Sequence, residues 1–238
     1  MNLNHNDTMT SEAMEMESTT MENIRDEVGS AILDAFRRRW SPKVFSHRPV
    51  ELEKLRAIFE AARWAPSSVN EQPWSFLLAG KESSEGFNAL LNCLNEKNKQ
   101  WAQNAPVLIL SMAKMHHQRD RSANRHAWHD VGLATANLMI QATALGLYTH
   151  VMGGFSSQKA REALGIPDGF EPVAMIALGY LPEWSDSDKS SAEVIPKIRT
   201  RKPLDELVFE GRWGNPARIV DHREDREAEG AWRETFVN

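Results

Sequence analysis

The stretch from Asp130 to about Leu145, DVGLATANLMIQATAL, constrains this chain more than any other. It carries small or apolar residues on nearly every side, with acidic Asp130 at its start and Gly146 just past its end, the pattern of a helix whose first turn meets a negative charge. Such a helix is expected to be buried all round, in the core and at a subunit interface, because small side chains let a second helix approach closely. The continuous apolar run Pro106 to Met112 (PVLILSM) reads as a buried strand. Ser75 to Ala79, Tyr148 to Met152 and Pro172 to Tyr180 read as further strands.

Helical spacing marks the remaining elements. Ile24, Val28, Ile32 and Phe36 predict a helix ending before Ser41 and Pro42, and Leu52, Leu55, Ile58, Phe59 and Ala62 form the stripe of a second, opened by Pro49 and Val50. Phe87, Leu90, Leu91 and Leu94 mark a third, and Ser157 to Leu164 a short one. The layout is one sheet-centred α+β domain over residues 21–238, after a polar tail at 1–20. Residues 204–238 form a charged C-terminal extension with Phe209, Trp213, Trp232 and Phe236 as isolated apolar anchors, expected to dock on a partner subunit.

A net charge of −5 argues against nucleic acid, which needs a basic face to displace counterions. No segment approaches the ~20 apolar residues that span a bilayer. The lone Cys93 forms no internal disulfide and fits a reducing, cytoplasmic setting. His126, His129 and Asp130 have spacing that would suit a metal, but no further ligand lies at clear spacing, so no metal is expected.

Against this acidic background two basic clusters stand out. Arg39, Ser41 and Lys43 alternate in RRRWSPKVF, so an extended backbone points all three to one face, a cradle for phosphate. Arg199 and Arg201 repeat the spacing in IRTRKPL. Between them, AARWAPSSVNEQPW (Ala61 to Trp74) runs from a helix end, stopped by Pro66, through the polar groups of Ser67, Ser68 and Asn70 to a strand. Trp64 and Trp74 are expected to anchor this loop at both ends in buried aromatic surface.

RWSPKVF, APSSVNEQPW, DVGLATANLMIQA, GLYTHVMGGF, PVAMIALGY and RTRKPLDELV occur in the order and approximate spacing of the FMN-dependent nitroreductase family, which the chain resembles from about Ile32 to Val208. The resemblance implies a nitroreductase-like α+β fold, a central mixed or antiparallel sheet surrounded by helices, in an intertwined homodimer with two FMN sites at the interface. It implies phosphate contacts from Arg39, Ser41, Lys43, Arg199 and Arg201. Pro66, Ser67, Ser68 and Asn70 match the loop reaching from the partner subunit to the isoalloxazine ring, Asn70 facing its pyrimidine edge, while Gln72 shapes the loop. Gly153 and Gly154 match the turn whose backbone N–H faces flavin N5, although many relatives have a carboxylate where Gly153 stands.

The implied activity is ping-pong hydride transfer from NADH or NADPH through FMN to nitroaromatic, quinone or related acceptors, with no catalytic acid or base. The alternative is a relative with specialised chemistry, such as dehalogenation or flavin fragmentation, or a flavin-binding regulatory role. His116, His117, His126, Trp128 and His129 lie where members often place pocket-lining residues. Replacing Arg39 and Arg201 together by alanine is expected to weaken FMN retention far more than Arg37→Ala, by about 1.5–3 kcal/mol per lost phosphate bond; dissociation constants from flavin fluorescence check this, and equal retention would refute the assignment.

Overall fold

The computed structural model describes residues 32–183 and 199–220, which divide into two compact units, the first ending at Ile195 and the second beginning at Pro196. Ile24, Val28, Trp232, Phe236 and the tail at 1–20 lie outside the described residues.

The first unit is built on four strands, β1 (Trp74–Gly80), β2 (Val107–Lys114), β3 (Tyr148–Met152) and β4 (Phe170–Gly179). They pair antiparallel throughout, in the order β1-β2-β4-β3. Among the described residues six helices surround the sheet: α1 (Asp34–Arg38), α2 (Leu52–Arg63), α3 (Ser84–Cys93), α4 (Glu96–Ala102), α5 (Ala127–Ala144) and α6 (Ser157–Leu164). Alternation along the inner strands sorts the core into two clusters. Leu108, Leu110, Met175 and Ala177 pack with Phe87, Leu90, Leu91 and Ala160, from α3 and α6. Val107, Ile109, Ile176 and Leu178 pack with Ile58 and Ala62 of α2 and with Ala134, Leu138 and Ala142 of α5. Covered on both faces, β2 has no polar alternation, as its apolar run predicts. One bulge interrupts the β2–β4 ladder, where Ser111 pairs Ala174 and Met112 pairs Pro172. Pro172 lacks the N–H a regular ladder would use there, and Ser111 Oγ donates to the Ala174 carbonyl at 3.1 Å.

Two expectations are corrected. The helix from Asp130 is not buried all round within the chain. It starts at Ala127, and Ala127, Asp130, Val131, Ala134, Leu138 and Ala142 face inward while Trp128, Gly132 and Ala136, four residues apart, face out. Small side chains make its two faces look alike in sequence, but only one meets the sheet. Leu52, counted in the α2 stripe, is 66% exposed because it opens the helix beyond the sheet's reach. The helix α4 went unread: its sequence EKNKQWA is polar, and its start is set by Asn95, whose side chain accepts from the Asn98 amide at 2.9 Å.

In the second unit, 3-10 turns at Leu204–Glu206 and Arg218–Val220 flank a bridge between Phe209 and Pro216. Phe209 and Trp213 touch with ring centroids 4.8 Å apart, leaving Trp213 91% exposed.

A polar knot ties the start of α2 to the end of β4. Lys54 Nζ donates to Tyr180 Oη at 2.7 Å and to the Leu145 carbonyl at 3.2 Å, the Tyr180 hydroxyl donates to Glu51, and Arg48 pairs Glu51 at 2.6 Å while lying over the Tyr180 ring. The Tyr180 hydroxyl, then a backbone N–H and the Arg48 guanidinium, hold the Glu51 carboxyl at about 2, against an ordinary 4.5. A depressed carboxylate stabilises the fold above its unfolded value and stops doing so as pH falls through its folded one. Tyr180→Phe is therefore expected to be less stable than wild type at neutral pH, with the gap closing between pH 4.5 and about 2 in denaturant midpoints.

Candidate functional site

The basic segment after α1 is placed by what it turns inward. Arg39 leaves the helix in extended conformation (φ −64°, ψ 119°), and from there Pro42 and Phe45 are buried while Ser41 and Lys43 are exposed. Trp40 meets Tyr148 edge-on at 6.0 Å, Phe45 stacks on Trp101 at 6.3 Å, and the Ser46 amide donates to the Tyr180 carbonyl at 2.8 Å. On the outer face Arg39 Nη1 donates to Ser41 Oγ at 3.3 Å, so the alternate spacing does put these side chains side by side. Arg38 instead pairs with Asp34 and reaches the Thr143 carbonyl at the last turn of α5, where a cation suits the negative helix end.

Beneath this segment lies His150 of β3, which spacing did not single out. Its Nδ1 lies 2.9 Å from the Pro42 carbonyl, and its ring packs on Trp101 at 4.5 Å. Burial first, and then the nearby cations of Lys43 and Arg39, push the imidazole below its usual range, against the pull of the Pro42 and Ser41 carbonyls.

The Pro66–Gln72 loop is held differently from expectation. Trp74 is half-buried, but Trp64 is 73% exposed, its indole N–H donating to Glu60 at 2.9 Å, so no buried aromatic surface anchors that end. Carboxylates hold the loop instead. Asp130, 2% exposed, accepts from the Ser68 amide at 3.0 Å and lies 3.0 Å from His129 Nδ1. Glu71 accepts from the Gln118 amide at 2.6 Å and lies 3.3 Å from His117 Nδ1; the Gln118 amide is the main cause that holds its carboxyl below the usual range. Within the loop the Gln72 amide donates to Ser67 Oγ and the Gln72 side chain to the Asn70 carbonyl, the shaping role expected of Gln72. Val69, Asn70 and Gln72 all take positive φ (49°, 57° and 51°). The left-handed region costs about 1–2 kcal/mol for an L-residue, most sharply for β-branched Val69, so the conformation needs restraint from outside the loop.

Topology sets where these pieces emerge. The loop enters β1 at Trp74, which pairs Ala113 near the end of β2, and β3 runs parallel to β2 and ends at Met152. The loop, the segment after Lys114 and the Gly153–Gly154 turn therefore leave the same end of the sheet. β1 and β3 are its opposite edges, three strand spacings or about 14 Å apart. One chain thus keeps the basic segment beside the β3 edge and the polar loop at the β1 edge. Arg199 and Arg201 belong to the second unit, where Arg201 is exposed and donates to the Thr200 carbonyl at 2.7 Å.

The two glycines are not equivalent. A Cβ on Gly154 would collide with the side-chain amides of Asn95 and Asn98, so internal packing explains it; one on Gly153 would meet nothing within 4 Å. Neither has a positive φ. Among the described residues no group of three His, Cys, Asp or Glu side chains is arranged to hold a metal ion, and Asp130 is already committed to Ser68.

Residues 36–180 match the sequence profile of the Nitroreductase family. The chain belongs to that family. A protein of Archaeoglobus fulgidus, provisionally named an NADH dehydrogenase/NAD(P)H nitroreductase, is 29% identical over 161 residues, covering 62% of this chain and 84% of the relative. An uncharacterised 15.4 kDa protein of Mycolicibacterium smegmatis is 38% identical over 134 residues, covering 56% of this chain and 88% of that one. Among solved structures, an oxidoreductase containing FMN superposes with a TM-score of 0.69 at 35% identity, over 79% of this chain and 96% of its own. A provisionally assigned nitroreductase of Desulfovibrio desulfuricans in complex with FMN gives 0.62 at 25%, over 78% and 99%.

Within this nitroreductase fold Asp130, read from the sequence as a helix-start charge and weighed there as a metal ligand, is an anchor of the loop. Its signal was there, as the single acidic residue of an apolar helix. Asp130→Ala is expected to lower unfolding free energy by about 1.5–3 kcal/mol through loss of a charged acceptor for the Ser68 amide. Asp130→Asn, which keeps an acceptor oxygen, should lose less; chemical denaturation of both variants checks the order.

Proposed function

We propose that this nitroreductase-family chain is an FMN-dependent oxidoreductase that uses NADH or NADPH to reduce nitroaromatics, quinones or related conjugated acceptors. The observation that carries the reading is the outward face of the 39–43 segment, where Arg39 and Ser41 lie side by side and Lys43 is exposed, in a family with FMN-containing members. Two cations and a hydroxyl are the donor set a phosphate monoester requires, and the open space at Gly153 leaves its backbone approachable by a flat ring. The donor set at residues 39–43 suits the FMN phosphate; the family resemblance would add Arg199 and Arg201 as further phosphate ligands and Pro66, Ser67, Ser68 and Asn70 along the ring.

When bound, FMN would supply hydride acceptance from NAD(P)H and electron delivery to the acceptor. The chain's own task is then positioning and charge: Arg39, Ser41 and Lys43 hold the phosphate, Lys43 also offers a cation to the ring, and Asn70 donates to its pyrimidine edge. No side chain is required to move a proton.

We also propose a homodimer. One chain separates the polar loop and the basic segment by the width of the sheet, so a second copy is the natural source of the loop that completes each site. Exposed apolar surface at α1 and α5, with Leu33 just before α1 68%, Phe36 51% and Trp128 48% exposed, supports burial against that copy, and Trp213 of the C-terminal extension would dock on the partner subunit. No helix among the described residues is long and apolar enough to cross a membrane, and a cytoplasmic setting suits the free, buried Cys93.

Purified protein is expected to be yellow or to take up FMN, to consume NADH or NADPH with a nitroaromatic or quinone acceptor, and to sediment as a dimer. A colourless preparation that neither binds FMN nor oxidises the nucleotides would overturn the reading.

A further inference from the structure

We propose that Glu71 is a positioning residue: it latches the Pro66–Gln72 loop to the segment at 115–125, so that the ring-side loop and the adjoining surface for the acceptor are set as one unit. The inference rests on the flavin reading above for its meaning in catalysis, but the latch is a property of the chain.

The two segments share no strand. The loop precedes β1 and the other segment follows β2, and they are neighbours only because those strands pair antiparallel, with the Lys114 amide donating to the Pro73 carbonyl at 2.8 Å. The 115–125 segment closes on itself: the Asn124 amide donates to the Met115 carbonyl and the His117 amide to the Ser122 carbonyl, each at 2.8 Å, and His116 bridges Ala123. Two of its charged side chains, Arg119 and Asp120, pair with each other at 3.1 Å. Glu71, its side chain only 10% exposed, reaches out of its own loop and spends both oxygens on this neighbour, one on the Gln118 amide and one against His117.

The position of Glu71 explains why such a tie is needed. It sits between Asn70 and Gln72, both left-handed, in a loop whose internal bonds all run among residues 67–72 and so cannot fix the loop against the rest of the protein. Asp130 holds the loop's first half through Ser68. Glu71 holds the second half, the half that carries Asn70. A surface glutamate would gain nothing from burial; this one is buried to the extent that its two partners allow.

Amide hydrogen exchange on the flavin-free protein tests the latch directly. Glu71→Ala is expected to speed exchange about tenfold in residues 67–72 and 116–123 together. Glu71→Gln keeps an oxygen for the Gln118 amide and should stay within about threefold of wild type, and His117→Ala, with Glu71 intact, should raise both segments by a similar small factor. In the flavin-loaded enzyme Glu71→Ala is expected to raise the acceptor KM about tenfold while leaving the maximal rate with NAD(P)H within about twofold. Acceleration confined to one segment, equal behaviour of the Ala and Gln variants, or an unchanged acceptor KM would overturn the proposal. A wild-type protein that takes up no FMN would overturn the flavin reading alone, leaving the exchange result to judge the latch.

Discussion

Burial of β2 on both faces is the constraint on which the rest depends. An inner strand with Leu108 and Leu110 toward one side and Val107 and Ile109 toward the other needs two apolar layers, and the chain supplies them as α3 with α6 and as α2 with α5. Within that sandwich the strands lie in the order β1-β2-β4-β3, which assigns their ends to sides. The polar segments have little choice afterward. The loop before β1 and the segment after β2 must meet, and the glycine turn after β3 must leave at the far edge.

Polar side chains, rather than the core, set the fine geometry of the candidate site. Asp130 and Glu71 hold a loop containing three non-glycine residues at positive φ, a conformation that local preferences oppose. His150 holds the basic segment through the Pro42 carbonyl, with Arg39 and Lys43 close enough to depress its basicity. These supports fix the conformation of segments that local preferences leave free, which is how a site built largely on loops would acquire definition. On the proposed flavin reading, with the redox chemistry left to the cofactor, the protein's part would be placement of charge and exclusion of freedom.

Strands were legible where period and length agreed. Tyr148–Met152 and the short helix Ser157–Leu164 stand where spacing puts them, and β1, β2 and β4 differ from their reading by a residue or two at the ends. The alternation of Arg39, Ser41 and Lys43 was also legible, because an extended segment with buried Pro42 obeys the same period as a strand. Trp64 misled: an aromatic beside a polar loop suggests an anchor, but its position at the α2 end turns it to water, where Glu60 takes its N–H. The reach of Glu71 to Gln118 was invisible for a different reason. Nothing local in NEQPW distinguishes a carboxylate that will find a backbone amide almost fifty residues away from one that will sit in solvent.

By itself the sequence determined the four strands, most of the helices though not α4, the family, and the alternation of Arg39, Ser41 and Lys43, since these are written in periodicity or in ordered motifs that survive without knowledge of neighbours. The tertiary structure alone decided which face of α5 is covered, which carboxylates are spent on the loop, and that the loop and the basic segment of one chain stand at opposite sheet edges. The physical reason is range. Periodicity reports how a residue relates to its own element, whereas the partner of a buried polar group, and the distance between two edges, exist only after distant strands have paired.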